Sequence, residues 1–417
     1  MPDRLLPIPP APGAHHPALD GLRGVAVLMV LAFHFLHVDG EGGVVERTLL
    51  SAARTGWAGV DLFFVLSGFL ITGILLDARG GPGYFRAFYA RRVLRIFPLY
   101  YAYLAVLFLV VPLLLPSLDV KQETQGWLWS YLGNVLFARE GGFQASPYTG
   151  HFWSLAVEEQ FYLAWPLLVW MLPRKRLAVL CLGLVAGAFA LRLGIHRTTF
   201  NSTAAYVLTP ARMDALALGA LVAIAAREPA WWPRVRRIAP WVLGVSAAAV
   251  AAVWIHQGGL FGGDPVVQVW AFGPLAAGFA ALLVLALDGG ASRLSRALAR
   301  PALRGAGKYS YGLYVLHYPI FLALEAAGFT SLALAGAMGS RLAGMAAFAA
   351  VAGAATFASA LVSWNLLEKR FLRWKGRVPY GRPAPIPAPA VARPRRRPAA
   401  PRPGERPAAR ACPPDRG

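Results

Sequence analysis

Apolar residues run through this chain in stretches of about 18 to 22, the length an α-helix needs to cross the hydrocarbon core of a bilayer. Ten such stretches are legible, at 21–38, 57–77, 96–115, 152–172, 177–194, 209–226, 238–256, 266–287, 309–327 and 341–365. They are continuous and do not alternate with polar residues, which excludes a transmembrane β-barrel. The pattern predicts an all-α polytopic integral membrane protein, built as one helical domain of about ten spans. The first stretch is predicted to be a retained helix and not a cleaved signal. Its leader is Pro-rich with little positive charge, no small-x-small site precedes Asp39, and Arg23 and His34 lie within the run.

Composition narrows this further. With 57% hydrophobic and 15% charged residues among 417, the chain has too few polar side chains to wrap a soluble core. The formal net charge of +21 is distributed unevenly. If the N-terminus lies inside, 32 of the 41 Lys and Arg residues fall on the cytoplasmic side and five on the other, with Arg23, Arg192, Arg212 and Arg341 in or at the edge of spans. That bias predicts both termini in the cytoplasm. Residues 1–18 form a Pro-rich leader, and 372–417 form a Pro/Arg-rich tail expected to be disordered and to rest on anionic lipid. Apart from that tail there is no solvated basic face with interleaved aromatics, so nucleic acid is not an expected partner. Cys181 and Cys412 offer neither a disulfide nor a thiolate metal site, and no metal or bound cofactor is expected.

Function should be sought where charge enters the bilayer, since a central Arg or Asp costs about 2.5–3.5 kcal/mol on the insertion scale. Arg23 and His34 share the first span, eleven residues apart; that is about 1100° of rotation and about 16 Å of rise, so both lie on one helical face. Asp20 is placed to cap that helix. Asp61, Glu158 with Glu159, Arg192, Arg212 with Asp214, and His317 enter five further spans. Counted from the ends of their helices, His34, Asp61 and Glu158 lie at about the same depth, roughly 6 to 9 Å in. A carboxylate at that level suits general base chemistry, because it orients an imidazole and stabilises the imidazolium. Glu158 shares a face with Tyr162 and Trp165, and Glu159 is expected to point away. At the cytoplasmic edge Arg92 and Arg95 fall on one helical turn, a spacing that suits a phosphate-bearing ligand.

Several strings carry a more specific signal. Leu19-Asp20-Gly21-Leu22-Arg23-Gly24 with His34, the segment Gly59 to Ile71 containing Asp61 and Ser67, Arg92-x-x-Arg95, Trp153-Ser154-Leu155-Ala156-Val157-Glu158-Glu159-Gln160-Phe161-Tyr162, Arg212-x-Asp214 and Ser310 to His317 occur in that order. Together they resemble the acyltransferase-3 family of membrane-bound O-acyltransferases from about residue 16 to 371, with residues 19–371 as the acyltransferase membrane domain. The resemblance implies a ten-helix domain in a bacterial inner membrane, with acetyl-CoA or another acyl-CoA as donor substrate. It implies a hydroxyl acceptor on a surface glycan such as lipopolysaccharide or peptidoglycan, a glycolipid or a macrolide-like molecule. It assigns catalysis to His34, Arg23 and Glu158 and donor contacts to Arg92 and Arg95. It extends substrate contacts to Asp61, Ser67, Trp153, Tyr162, Arg212, Asp214 and His317. Many relatives carry a further extracytoplasmic domain, so this chain is expected to act as a stand-alone acyltransferase. The rival reading is a secondary transporter or flippase, which also keeps ionisable residues in a helical bundle; no counterpart of the Arg23/His34 face in a second half favours it.

Overall fold

Pro17 opens the first helix, because its missing N–H is one a helix start leaves unsatisfied and its fixed φ already suits the turn. The N-cap is therefore His16, and Asp20, expected as the cap, lies inside the first turn. The computed structural model describes residues 16–36, 43–287 and 292–380, and these fold into helices with no strand among them. The leader up to residue 15 and the basic tail beyond residue 380, with the lipid contact expected of it, fall outside the described residues. Residues 372–380, expected to be disordered, instead complete the helix Lys369–Arg373 and form the 3₁₀ turn Trp374–Arg377, and this segment accepts hydrogen bonds from Arg91 at the Lys375 and Val378 carbonyls.

Ten α-helices of 15 residues or more occur among the described residues. They are α1 (Pro17–Phe35), α2 (Gly59–Ala78), α3 (Tyr84–Ala105), α4 (Trp153–Met171), α5 (Arg174–Thr198), α6 (Thr209–Ala225), α7 (Trp232–Gln257), α8 (Phe272–Ala286), α9 (Pro301–Ala326) and α10 (Arg341–Ser363). Each apolar stretch read from the sequence meets one of them. Seven helical segments, containing α1, α2, α3, α5, α6, α7 and α10, are long and apolar enough to cross a membrane. Helix α9 joins Ser331–Met338 across a 54° bend, and counting that pair as one span makes eight. The remaining two fall short for visible reasons. Helix α4 spends three consecutive positions on Glu158, Glu159 and Gln160, and α8 has only 15 residues after a break at Ala271.

Helices α2 and α6 form the centre, and their approach is set by small residues. A Cβ on Gly68 would lie 2.0 Å from the Leu216 carbonyl oxygen, and one on Gly219 would lie 2.0 Å from that of Val65. Nothing larger than glycine permits this backbone-to-backbone contact, the device by which helices associate when lipid removes the hydrophobic drive. Helix α1 packs between α2 and α9, so its Arg23 and His34 face the interior of the bundle. Helix α7 lies at the periphery and leaves Trp241 77% and Ile255 82% exposed. Such an apolar outer face suits lipid.

Candidate active site

The first cavity, about 140 Å³, is enclosed by α1, α2, α3, α4 and α9. Arg23, Arg92 and Arg95 enter it from α1 and α3, and Ser67, Glu158 and Tyr162 from α2 and α4. The Ser67 and Tyr162 hydroxyls hydrogen-bond each other beside the Glu158 carboxylate. Arg95 Nη1 stands 3.7 Å from Oε2 of Glu368, a buried carboxylate just beyond α10. The cavity lining itself thus holds three arginines to one carboxylate, Glu158, an arrangement suited to an anion, with Asp20 and Glu368 outside the lining near Arg23 and Arg95. Six of the twelve side chains singled out from the sequence meet here.

His34 is elsewhere. It lines a second cavity of about 460 Å³ together with Trp57, His151, Tyr206, Tyr318 and Phe321. Val60 and Tyr314 line both cavities, so the two are neighbours along the inner face of α1, with Arg23 toward its N-terminal end and His34 toward its C-terminal end. His34 Nδ1 lies 3.0 Å from the Val30 carbonyl oxygen, an acceptor only, so Nδ1 carries the proton and the ring's lone pair is on Nε2. The same logic fixes two neighbours. His317 Nδ1 donates to the Tyr314 carbonyl at 2.6 Å, and His151 Nε2 donates to the Val315 carbonyl at 3.1 Å. The His34 and His317 ring centroids are 4.8 Å apart and those of His317 and His151 5.1 Å. Among the described residues, backbone carbonyls hold these imidazoles in register.

This overturns one geometric expectation. Equal depth was to place Glu158 against His34, but Glu158 belongs to the arginine cavity. The residue at the level of His34 is His151, carried to α9 by the 3₁₀ turn Pro147–Phe152. Glu159, expected to point away, does not line that cavity; its Oε1 is buried with no hydrogen-bond partner among the described residues.

Asp61, Arg212 and Asp214, expected to contact substrate, line neither cavity. Arg212 Nη2 meets Asp61 Oδ1 at 2.6 Å, and Arg192 Nη2 meets Asp214 Oδ2 at 2.8 Å. The Arg212 guanidinium also sits 4.1 Å from the Phe272 ring centroid and 5.5 Å from that of Trp153. These are two closed ion pairs clamping α2, α5 and α6 together, with aromatic faces over one of the cations. Trp153 backs the second cavity only indirectly, its ring centroid 4.8 Å from that of Tyr206. His317 is fully buried behind His34.

Sequence reasoning assigned no role to Glu368, Tyr206 or Tyr318. A lone acidic residue opening a basic stretch after the last span was the available signal for Glu368. The tyrosines gave none, since aromatics on apolar helices are ordinary core residues. The three imidazoles do not form a metal site, for no group of His, Cys, Asp or Glu among the described residues is arranged to hold one.

Comparison with known proteins agrees with this architecture. A family profile described as an acyltransferase domain matches residues 16–365. The O-acetyltransferase OatA of Staphylococcus aureus is 29% identical over 352 residues, covering 73% of this chain and 50% of that protein. The putative peptidoglycan O-acetyltransferase YrhL of Bacillus subtilis is 29% identical over 347 residues, covering 74% of this chain and 49% of its own length. The peptidoglycan O-acetyltransferase OatA of Listeria monocytogenes is 30% identical over 325 residues, covering 73% and 49%. The chain thus spans about half the length of the curated relatives it matches. No solved structure matches it. With a profile match across most of its length and a bundle of apolar helices around an arginine-lined and a histidine-lined cavity, this chain is an integral membrane protein that belongs to the acyltransferase-3 family.

Proposed function

We propose that the protein is a membrane O-acetyltransferase that takes an acetyl group from acetyl-CoA on the cytoplasmic side and places it on a hydroxyl of a cell-wall glycan of the peptidoglycan type. In this reading all ten long helices cross or line the bacterial inner membrane and both termini are cytoplasmic, so the N-terminal end of α1 and the arginine cavity open toward the cytoplasm. Arg92, Arg95 and Arg23 receive the anionic donor. The thioester reaches past Val60 and Tyr314 toward His34, whose Nε2 lone pair takes the proton of the acceptor hydroxyl. The hydroxyl oxygen attacks the thioester carbonyl, the carbon–sulfur bond breaks, and the departing CoA thiolate takes the proton from the imidazolium. His317 and His151 pack around His34 and hold its ring in place.

The observation that carries this reading is the succession along one face of α1, an arginine-lined cavity followed by a histidine-lined one with two wall residues in common. The acceptor class rests on the names of the relatives. The test uses the purified full chain with acetyl-CoA and soluble peptidoglycan fragments, following CoA thiol release and the acetyl ester by mass spectrometry. His34→Ala should fold, insert and lose at least about 100-fold in turnover, the scale of a missing general base. Turnover within threefold of the parent protein would overturn the role of His34, and thiol release without ester formation would overturn the acceptor class. Indifference to acetyl-CoA would favour transport.

A further inference from the structure

A third cavity, about 460 Å³, opens where the N-terminal ends of α1 and α9 meet. Asp20, Arg23, Arg95, Arg304, Lys308 and Trp364 line it, and Arg23 and Arg95 also line the first cavity, so the two adjoin. Its base is rigid. A Cβ on Gly307 would fall 1.8 Å from the Asp20 carbonyl oxygen, and one on Gly24 would fall 2.1 Å from that of Leu303. The two helices therefore touch backbone to backbone. Arg304 and Lys308, one turn apart on α9, are thereby brought beside Arg23.

We propose that this cleft seats the 3′-phosphoadenosine diphosphate head of the donor and so selects free acyl-CoA over acyl groups carried on a pantetheine arm alone. The inference rests on the acyl-CoA reading above and adds the residues that recognise the nucleotide. Charge is the first ground. Asp20 lies 3.6 Å from Arg23 and Glu368 lies 3.7 Å from Arg95, whereas no described carboxylate pairs with Arg304 or Lys308. Two cations are thus left over at the mouth. A terminal phosphomonoester carries about −2 at pH 7 and matches such a pair.

The second ground is the indole of Trp364. Lys308 Nζ lies 5.4 Å and the Arg95 guanidinium carbon 6.0 Å from its ring centroid, and Lys308 Nζ is 4.9 Å from that of Tyr309. Basic residues that only marked the cytoplasmic side would spread into solvent. Here they converge on one half-buried aromatic ring at the rim of a cavity. A cation beside a flat π surface fits a base with a phosphate attached to its sugar, because the base stacks while the phosphate meets the charge. A lipid headgroup shares the phosphate chemistry but brings no ring to stack.

The test compares acetyl-CoA with acetyl-dephospho-CoA, which lacks only the 3′-phosphate, using the full chain in phosphatidylcholine nanodiscs. The parent protein should show a KM about tenfold higher for the dephospho donor, the scale of one charge-assisted contact. Lys308→Gln and Arg304→Gln should raise the acetyl-CoA KM about tenfold while leaving the dephospho-donor KM within twofold. Trp364→Ala should weaken both donors and Trp364→Phe should restore them. Adenosine 3′,5′-bisphosphate should compete with acetyl-CoA and bind the parent protein in calorimetry, but not Lys308→Gln. Equal KM values for the two donors in the parent protein, or Lys308→Gln and Arg304→Gln variants that weaken both donors equally, would overturn the inference. So would displacement of the nucleotide by phosphatidylglycerol added to the nanodiscs, which would give the cleft to lipid. Absence of any acetyl-CoA-dependent transfer by the parent protein would instead overturn the proposed function, and the calorimetry would still decide the cleft.

Discussion

Two groups of buried charge lie within one helix bundle and behave oppositely. Around Arg212 each cation has its own carboxylate, at 2.6 Å for Asp61 and 2.8 Å for Arg192 with Asp214, and aromatic rings fill the remaining space. Around Arg23, Arg92 and Arg95 the cations line a cavity with Glu158 as its one lining carboxylate, while Asp20 and Glu368 stand off outside that lining at 3.6 Å from Arg23 and 3.7 Å from Arg95. The residue types are the same, and both groups carry the cost of placing charge in a low-dielectric interior. What separates them is closure. A contact ion pair uses its charge to join helices, even though Arg212 Nε and Nη1 and Asp61 Oδ2 find no hydrogen-bond partner among the described residues, whereas cations that line a cavity can still meet an anion.

The largest expected effect comes from opening a closed pair. Arg212→Ala leaves the Asp61 carboxylate buried without its partner and should cost about 3 to 5 kcal/mol, enough to deplete the folded protein in membranes. Combining it with Asp61→Ala removes the stranded charge, so the double variant should be recovered at higher level than Arg212→Ala alone. Quantifying both by fluorescence-detected size exclusion decides the matter. If Arg212→Ala accumulates normally and loses only activity, the ion pair belongs with the site and the contrast collapses.

A smaller and different effect is expected in the open group. Arg92→Ala should leave the amount of folded protein unchanged, because a cavity lined with three cations gains by losing one, whereas Arg95→Ala also strands the buried Glu368 carboxylate and should lower it. The donor KM should rise about tenfold for each while kcat changes little, the pattern of lost uniform binding. Arg95 is the more informative, since it also meets Glu368. An unchanged KM with a collapsed kcat would move these arginines from donor binding into the chemical step.

The contrast also explains what the sequence reveals and what it hides. Apolar run length locates every long helix, because the bilayer imposes its thickness on composition. The eleven-residue step from Arg23 to His34 orders the cavities along α1, because that relation is internal to one helix. Relations between helices are another matter. Depth can be counted from helix ends, but azimuth depends on neighbours, and for that reason Glu158 was expected beside His34 and Asp61 in a binding site. The segment between residues 111 and 152 folds into short helices without a clear apolar period. Nothing in it signalled that Asn134 would hydrogen-bond Gln160 at 2.9 Å, or that His151 would reach α9.

The smallest expected effect tests the boundary between the two cavities. Glu158 shares the arginine cavity with Arg23 and Arg92 and lies beside the mutually hydrogen-bonded Ser67 and Tyr162 hydroxyls. A carboxylate in that company arranges the cations that meet the donor and has no direct path to the His34 ring. Glu158→Gln keeps the volume and a hydrogen-bonding oxygen but removes the charge. It should therefore shift the donor KM by about three- to tenfold, the scale of one hydrogen bond to a charged group, and leave the pH dependence of kcat in place. Glu159→Gln should change the donor KM less, since Glu159 does not line the cavity and its buried Oε1 already lacks a partner. If Glu158→Gln instead displaces the acidic limb of the kcat profile with KM unchanged, the carboxylate acts on His34 after all, and the two cavities form one catalytic unit.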